Sequence, residues 1–366
     1  MSTTIVDCSG VGAGGITRVL TELVRYWPSG APLRIVAAPA GWTAPQDRSA
    51  EVTVVSSQDH GRVGTIAAAT EALRRATGRG AEDARVLSLS PSLAIRGSRL
   101  PVTTMVHDLA FKLWPHDLSA SVKQYRRLSY GTAIGRSERL ICVSARTRHD
   151  LLGIYNVPYA RTSVWHPGSD LSEAPGALPV PLSEIRYAGG RYLVVAGHAA
   201  HKGVELAIEA VAQLDSYHLV VLTGGHPAEE FRRAAAQSAA APRVLFLDRL
   251  DDAEYAATVA GAAAFLMPSH FEGYGLPAAE ALRLGTPTVI SPDPALLEAT
   301  GGAAVRMDSW TGDAMVRALR QVESGHLPTA TAELGGRSWR AATEHLVALL
   351  AAEPAAADAA AARGGG

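Results

Sequence analysis

Short apolar runs alternate with longer stretches of helical periodicity along the first half of the chain. The apolar runs predict buried strands, and they are Thr3–Cys8, Leu33–Ala37, Val52–Ser56, Val86–Ser90, Val102–Val106 and Leu140–Val143. The helical stretches are Ile16–Tyr26, Gly64–Thr77, Ser121–Arg136 and Ala145–Tyr155. Continuous apolar strands that alternate with helices are typical of a parallel sheet covered on both faces. The pattern therefore predicts an α/β, doubly wound, Rossmann-like domain over residues 1–170.

The same rhythm restarts after a stretch rich in Pro, Gly and Ser, which predicts a linker over residues 171–190. Strands are predicted at Tyr192–Ala196, His218–Thr223, Val244–Leu247, Ala263–Met267 and Thr288–Ile290. Helices are predicted at Val204–Leu214, Ala228–Ala239, Asp252–Ala260, Pro277–Leu284, Pro294–Ala299 and Gly312–Glu323. A second Rossmann-like domain over residues 191–335 follows from this pattern. A last helix is predicted within residues 336–352, and the Ala-rich and Gly-rich tail 353–366 is predicted to be disordered.

Composition agrees with two folded domains and narrows the class of protein. The chain has 366 residues, 47% of them hydrophobic, and a formal net charge of −1, which excludes a disordered chain and gives no sign of a nucleic-acid partner. The first half is net positive and the second net negative. That asymmetry favours a phosphorylated or lipid-linked partner, although a chance distribution of surface charge explains it equally well. The only cysteines, Cys8 and Cys142, lie in strand-like runs and are predicted to be buried free thiols.

The start of the chain predicts a cytoplasmic location. MSTTIVDCSG passes directly into a strand, without a basic and then apolar leader. No apolar run approaches the roughly 20 residues that span a bilayer. A basic helical region around Lys123, Arg126 and Arg127 would suit a peripheral membrane contact, but a solvated helix face is an equally good explanation.

Glycines and polar residues follow most of the predicted strands. They are Gly10–Gly15, His107–Asp108, Gly197–Lys202, Thr223–His226, Asp248–Arg249 and Ser269–Gly275. Ligands of parallel sheets bind beyond the carboxyl ends of the strands. The sequence therefore predicts a ligand site at these ends, with the two domains facing across a cleft.

The stretch from Met267 to Pro287 carries the most specific signal. A strand enters a Gly-rich loop, and Pro277 then opens a helix, an arrangement whose backbone N–H groups suit an anion. Glu272 and Glu280 bracket the turn, and carboxylates suit sugar hydroxyls better than phosphate. Two solvated surface carboxylates are the plain alternative. Together the features predict a site for a ligand with both phosphates and hydroxyls, such as a nucleotide sugar.

FLMPSHFEGYGLPAAEALRLGTPTVIS resembles the signature of the retaining glycosyltransferases of family 4, which have the GT-B fold. GAGGITR, VHDLAFKLWP, ICVSARTRHDLL, AHKGVELAIEA and SWRAATEHLVALL resemble further segments of that family. The resemblance implies transfer of a sugar from a nucleoside-diphosphate sugar to a hydroxyl of a glycan or a small-molecule acceptor. It also implies a metal-independent, retaining hexosyltransferase without a resident cofactor. The His-Asp segment leans towards mannosyltransferases and rhamnosyltransferases.

The resemblance also implies roles for single residues. Glu272 would contact the hydroxyls of the donor sugar, Glu280 the ribose, and Lys202 the diphosphate. Backbone N–H groups would reach the sugar and the diphosphate around Gly273, Tyr274, Gly275 and Leu276. From the first domain, His107 would touch the transferred sugar, while Asp108 would orient it or meet the acceptor.

Glycine backbone is implied at a further point of the donor site. Gly14 and Gly15 would bring backbone against the phosphates or the acceptor, and Arg249 or the backbone beside it would meet the base. For most of these positions an ordinary structural or surface role is the alternative.

One position departs from the family pattern. Family members usually carry an Arg four residues before the lysine, and here that position holds His198. Histidine carries little charge near pH 7, unlike arginine. Either the diphosphate protonates His198, or another cation such as Arg18 or Arg249 replaces the arginine, or activity is low.

Two other functions stay open at this point. The same fold serves nucleotide-sugar epimerases and glycan phosphorylases, but a pyridoxal enzyme needs a buried lysine, and only Lys112, Lys123 and Lys202 are present. A catalytically weak partner or scaffold that binds nucleotide is the third hypothesis, and His198 is its support. No Asp-x-Asp motif suits a metal, and no carboxylate suggests a double displacement.

Overall fold

The computed structural model describes residues 3–12, 14–58, 61–81, 83–171, 173–329 and 337–352, with the backbone alone at 61 and 62. It divides into two compact units. The N-terminal unit consists of Met1–Gly168 together with Ser338–Gly366, and the C-terminal unit is Ser169–Arg337. The tail 353–366, predicted to be disordered, lies outside the described residues.

A parallel sheet of seven strands forms the middle of the N-terminal unit, in the order β3-β2-β1-β4-β5-β6-β7. The strands are β1 Thr4–Asp7, β2 Leu33–Val36, β3 Val52–Val54, β4 Arg85–Ser88, β5 Val102–Val106, β6 Ser137–Cys142 and β7 Thr162–Val164. The helices that follow them are α1 Gly15–Tyr26, α2 Gly61–Ala76, α3 Ala110–Leu113, α4 Ala120–Arg136 and α5 Ala145–Ile154. Local capping fixes where α5 begins, since Ser144 Oγ accepts from the N–H of Thr147 at 2.9 Å.

The C-terminal unit repeats this design with six parallel strands in the order β10-β9-β8-β11-β12-β13. The strands are β8 Arg191–Ala196, β9 Tyr217–Leu222, β10 Val244–Leu247, β11 Ala264–Met267, β12 Thr288–Ile290 and β13 Val305–Arg306. The helices are α6 Val180–Tyr187, α7 Val204–Ala212, α8 Glu229–Ala236, α9 Asp252–Ala260, α10 Leu276–Arg283, α11 Pro294–Thr300 and α12 Gly312–Glu323.

Burial on both faces explains why these strands read as continuous apolar runs. In β8, Leu193 and Val195 point into one core and Tyr192 and Val194 into another on the opposite face. Successive side chains of a strand alternate between faces, so a strand covered on both faces needs apolar residues at every position. The predicted α/β fold with two Rossmann-like domains is confirmed.

The elements that the sequence did not predict are short. They are β7, β13, α3 and α6. Helix α6 lies inside the stretch predicted as a linker, follows Pro179 and buries only Leu182. A single buried side chain leaves little apolar periodicity to detect.

The last helix, α13 (Trp339–Ala351), belongs to the N-terminal unit and packs on α1. Trp165 Nε1 donates to the carbonyl of Ala342 at 2.6 Å, and an Arg139 guanidinium N–H donates to the carbonyl of Ala352 at 2.9 Å. Gly168 lies so close to the backbone of Trp339 that a Cβ would collide with it. These contacts tie α13 to the rest of the N-terminal unit.

Both cysteines are buried free thiols, which confirms that prediction. Burial raises the pKa of Cys142 to about 12 and raises that of Cys8 as well, so neither thiol is ionised near neutral pH. Across the described part of the chain, no helix combines the length and the apolar character needed to cross a membrane.

Candidate functional site

The predicted polar residues of the C-terminal unit gather at one edge of its sheet. The loops after β8, β9, β10 and β11 carry Lys202, His226, Arg249 and Glu272, and these four strands are neighbours in the sheet. Because all the strands are parallel, their carboxyl ends lie at the same edge. The structure therefore collects at one edge residues that lie 70 positions apart in sequence, as Lys202 and Glu272 do.

Lys202 and Glu272 form an ion pair at the centre of this edge. Lys202 Nζ donates to Glu272 Oε1 at 2.8 Å, with the side chains 23% and 9% exposed. A pair withdrawn from water in this way interacts more strongly than a surface pair, and removing one partner leaves a desolvated charge behind. The two residues predicted to serve diphosphate and sugar are thus one electrostatic unit.

Gly203 explains how the two loops come together. It ends the turn that carries Lys202 with φ of 65°, the left-handed conformation that glycine adopts without strain. A Cβ at this position would lie 2.6 Å from the carbonyl oxygen of Pro268, which is in the loop after β11. Both the backbone conformation and the close approach require glycine.

We expect Gly203→Ala to destabilise the fold more than Gly285→Ala. Both glycines have positive φ, and the Ala strain is about 1–2 kcal/mol at each. Gly285 has open space around its Cβ position, whereas Gly203 faces Pro268, which adds about 1–3 kcal/mol of overpacking. Urea-unfolding midpoints of the two variants measure the difference. Equal midpoints would show that the loops do not depend on this contact.

Asp293 holds the loop that carries Glu272. Its Oδ2 accepts from the N–H of Glu272 at 3.3 Å, and its Oδ1 accepts from the N–H of Ala295 at 2.8 Å, which caps α11. Asp293 is only 2% exposed. Asp293 was not among the predicted site residues, although Ser-Pro-Asp-Pro before a helix is a recognisable cap signal.

Helix α10 begins in this loop, and its N-cap residue makes no side-chain capping hydrogen bond. Its N-cap is Gly275, with φ of 103°, and a Cβ there would collide with Leu296. The first N–H groups of a helix have no partner within the helix, and together they attract negative charge. The neighbouring Tyr274 side chain is buried, and its hydroxyl accepts from Arg337 Nη1 at 3.0 Å. From Gly273 to Leu276, it is thus the backbone that suits an anion.

Glu280 lies on α10 and is 2% exposed. Its Oε2 accepts from the hydroxyl of Tyr255, on α9, at 2.9 Å. Glu272 is also buried, with 8% of the whole residue exposed. The plain alternative of two solvated carboxylates is therefore wrong for both acids. The partner Tyr255 was not identified from the sequence because nothing there shows that α9 and α10 meet.

His198 stacks on a second histidine, His226, with ring centroids 3.9 Å apart and an angle of 20° between the planes. Partial burial is the main cause that lowers the pKa of His198 to about 4, and electrostatic interactions with His226, Lys202 and His201 add to it. His198 is therefore neutral at pH 7. Arg249 follows β10 and is exposed. It lies next to Gly225, since a Cβ added to Gly225 would be 3.4 Å from the Cβ of Arg249.

The N-terminal unit places His107 and Asp108 after β5. His107 Nε2 bonds to the carbonyl oxygen of Leu89 at 2.7 Å, so Nε2 carries the proton and Nδ1 is the acceptor of the neutral ring. Burial lowers the pKa of His107, which keeps that ring neutral. Asp108 Oδ1 accepts from the N–H of Ala110 at 2.9 Å, and its carbonyl accepts from the hydroxyl of Tyr130 at 2.6 Å.

Gly14 and Gly15 open α1 at an exposed edge of the same unit. Gly14 has φ of 123°, and a Cβ at either glycine would meet no atom within 4 Å. The helix N-terminus again has no side-chain cap. The two glycines thus leave the backbone accessible from outside, as a ligand-contacting loop requires.

Asp7 is a buried acid next to this loop and was not among the predicted site residues. It is fully buried at the end of β1, and its oxygens accept from Ser9 Oγ at 2.6 Å and Ser88 Oγ at 2.8 Å. Burial raises the pKa of Asp7, and the bonds from Ser9 and Ser88 oppose that effect. Through Ser9, which directly precedes Gly10, Asp7 holds the start of the glycine loop. In the described residues of both units, no three His, Cys, Asp or Glu side chains converge as a metal site would need.

Two protein-family models match the chain. The model described as Glycosyltransferase Family 4 matches residues 13–173, and the model described as Glycosyl transferases group 1 matches residues 186–326. The two matches fall on the N-terminal and C-terminal units respectively. Both halves of the chain are therefore glycosyltransferase-like.

Similar proteins agree with these matches. A glycogen synthase from Deinococcus deserti is 35% identical over 36% of this chain and 29% of its own length. The O-antigen chain mannosyltransferase RfbU from Salmonella typhimurium is 23% identical over 62% of each chain. The matches thus span less than two thirds of either relative. The crystal structure of HepE from Anabaena has a TM-score of 0.75 at 15% identity, over 96% of this chain and 100% of HepE.

Proposed function

The chain is a family 4-like glycosyltransferase with the GT-B fold, and from this we propose that it moves a hexose from a nucleoside-diphosphate sugar to a hydroxyl acceptor. The observation that carries the proposal is the ion pair of Lys202 and Glu272 beside the uncapped N-terminus of α10. A cation and a helix N-terminus attract a diphosphate, while a carboxylate accepts hydrogen bonds from sugar hydroxyls. The edge thus offers both chemistries that a nucleotide sugar needs.

In this proposal, residues of the C-terminal unit bind the diphosphate, the sugar, the ribose and the base of the donor. Lys202 and the backbone from Gly273 to Leu276 bind the diphosphate, Glu272 binds the sugar and Glu280 binds the ribose. Arg249, exposed at the next loop, meets the base. HepE structures contain UDP, UDP with glucose, or UDP-glucose, which supports a nucleotide-sugar donor for a protein of this fold.

We propose that the reaction retains the configuration at the anomeric carbon. The acceptor oxygen forms its bond to that carbon on the face from which the nucleoside diphosphate departs, and the acceptor proton passes to an oxygen of the leaving phosphate. Negative charge grows on the leaving group as its bond to the sugar breaks. A fixed cation such as Lys202 stabilises that charge more in the transition state than in the bound donor.

In this mechanism the N-terminal unit contributes His107, Asp108 and the glycine loop. The neutral His107 ring has Nδ1 as an acceptor for a hydroxyl of the transferred sugar, because Nε2–H is engaged by Leu89. Asp108 serves the acceptor, and Gly14 and Gly15 offer backbone to phosphate or acceptor. Lys202 and the α10 N-terminus supply the positive charge, and we propose that neither a metal ion nor a resident cofactor takes part.

The donor sugar proposed is of the mannose or rhamnose type, and the acceptor is a glycan, a lipid-linked glycan or a small natural product. The His-Asp segment supports the sugar, as does the mannosyltransferase among the similar proteins. A cytoplasmic location suits a nucleotide-sugar donor.

A panel of nucleotide sugars tests the proposal. We expect at least one UDP-, GDP- or dTDP-sugar to raise the melting temperature and, with a matching acceptor, to release nucleoside diphosphate. EDTA should leave that rate unchanged, and NMR of the product should show the donor's anomeric configuration. Binding without release, for all donors and acceptors tried, would instead favour a nucleotide-binding scaffold. No shift with any nucleotide sugar would remove the donor site from the C-terminal unit.

A further inference from the structure

The stacked pair of His198 and His226 lies where two strand ends adjoin. His198 follows β8 and His226 follows β9, and these strands are neighbours in the sheet. The turn before His226 contains Gly224 and Gly225, both with positive φ, which folds the chain sharply back to the strand end. The ring planes are nearly parallel, with centroids 3.9 Å apart. Both rings therefore belong to the edge that carries Lys202.

Most of the groups around the pair are basic side chains. On its own loop His198 has His201 and Lys202, and the loop after β10 contributes Arg249 beside Gly225. The acids at this edge are already engaged. Glu272 pairs with Lys202 at 2.8 Å, and Asp248 accepts from Thr223 Oγ1 at 3.3 Å and pairs with Arg232 at 3.7 Å. No acid is among the groups that shift the pKa of His198.

Two imidazolium rings at this distance would repel each other, so a proton on one ring opposes a proton on the other. Desolvation and the electrostatic interactions with His226, Lys202 and His201 all lower the pKa of His198, to about 4. An anion bound beside the rings would act in the opposite direction. A diphosphate favours the charged form of the nearer ring and could accept its N–H as a charge-assisted hydrogen bond.

We propose that His226 is a further residue of the donor site, and that the stacked pair of His198 and His226 takes up one proton from solvent when the donor's diphosphate binds. The inference rests on the proposed function and explains how a chain with histidine at the usual arginine position still presents a second cation. The proton goes onto a ring nitrogen, and no other bond is formed or broken. The charge thus appears only when the donor is present.

The sign of the pH dependence follows from this coupling. In the free protein His198 gains a proton only at acidic pH, and next to the diphosphate it gains one at higher pH. Between those two values donor binding consumes a proton, so affinity rises as pH falls. The slope reaches at most about tenfold in affinity for each pH unit. A permanently charged arginine in place of His198 would remove that slope.

The experiment is calorimetric titration of the full chain with UDP-glucose and GDP-mannose, from about pH 8 to about pH 5, across the range where histidine titrates. Both phosphates of a nucleotide sugar are diesters and stay ionised throughout, so any proton taken up goes to the protein. Buffers of different ionisation enthalpy give the number of protons. We expect uptake of up to one proton and an affinity that rises towards pH 5 for the wild-type protein.

Variants assign the proton to the pair. His198→Arg should bind without uptake, and His226→Gln should show a shallower rise because the free His198 is then easier to protonate. His326→Gln, an exposed histidine bonded to Ser324, is the matched control and should behave as wild type. A flat wild-type profile, or uptake that persists in both pair variants, would overturn the inference while leaving the proposed function standing. Failure of every nucleotide sugar to bind at any pH would overturn both.

Discussion

Replacing Lys202 by methionine is expected to lower kcat/KM for sugar transfer by about 10²- to 10³-fold, the usual cost of removing one group that stabilises transition-state charge. Methionine keeps the volume of the side chain and loses its charge. In the proposed mechanism the leaving diphosphate would then depart without its nearest fixed cation. Initial rates of nucleotide release at several donor concentrations measure the effect.

Lys202→Arg is the conservative control and should recover part of the rate, because charge is kept while the 2.8 Å contact to Glu272 is reshaped. A loss of folding stability must be separated from a loss of activity at the site, since Lys202→Met leaves the buried Glu272 without its cation. Circular dichroism and the urea midpoint provide that separation. A folded Lys202→Met protein with a wild-type rate would exclude Lys202 from the reaction.

Glu272→Gln is expected to separate catalysis from nucleotide binding. Transfer should fall by about 10²-fold, comparable to the loss of a group that acts in the transition state. Binding of free nucleoside diphosphate should persist or become tighter, because Lys202 no longer shares its charge with a carboxylate held at 2.8 Å. Steady-state kinetics with the sugar nucleotide and calorimetry with the nucleoside diphosphate measure the two effects on one protein preparation.

The double variant Lys202→Met with Glu272→Gln completes the comparison. It removes both charges and so leaves neither one buried alone. Its loss in unfolding free energy should therefore be smaller than the sum of the two single losses, by a coupling energy of about 0.5–3 kcal/mol. Its rate should be no lower than that of the worse single variant, since both act on one reacting centre. Strict additivity in stability and in rate would mean that the two residues do not act as a unit.

The fold was largely predictable because its sheets are buried on both faces. Strand β5, strand β10 and helix α9 have the bounds that the apolar pattern predicts, and most other elements differ by a few residues. A buried parallel strand needs apolar residues at every position, which makes it conspicuous in sequence. The two-residue strand β13 and the helix α6 bury too little to leave such a pattern.

The candidate site was predictable only in its residue types. Gly275 and Pro277 predict a strand-to-helix turn, because the backbone conformation of such a turn restricts which residues can occupy it. Lys202 and Glu272 lie in recognisable motifs. Their roles in transfer stay predictions. Asp293 and Tyr255 were missed, and the stacking of His226 on His198 was not foreseen, since each of these contacts joins residues that are distant along the chain.

By itself, therefore, the sequence determined two α/β domains and a set of polar residues that follow their strands. Tertiary structure decided which of those residues meet. It joined Lys202 to Glu272, brought Glu280 within hydrogen-bonding distance of Tyr255 and stacked His198 on His226. Ion pairing, burial and ring stacking depend on distances between strand ends, and strand order in the sheet fixes those distances. Sequence spacing does not encode them.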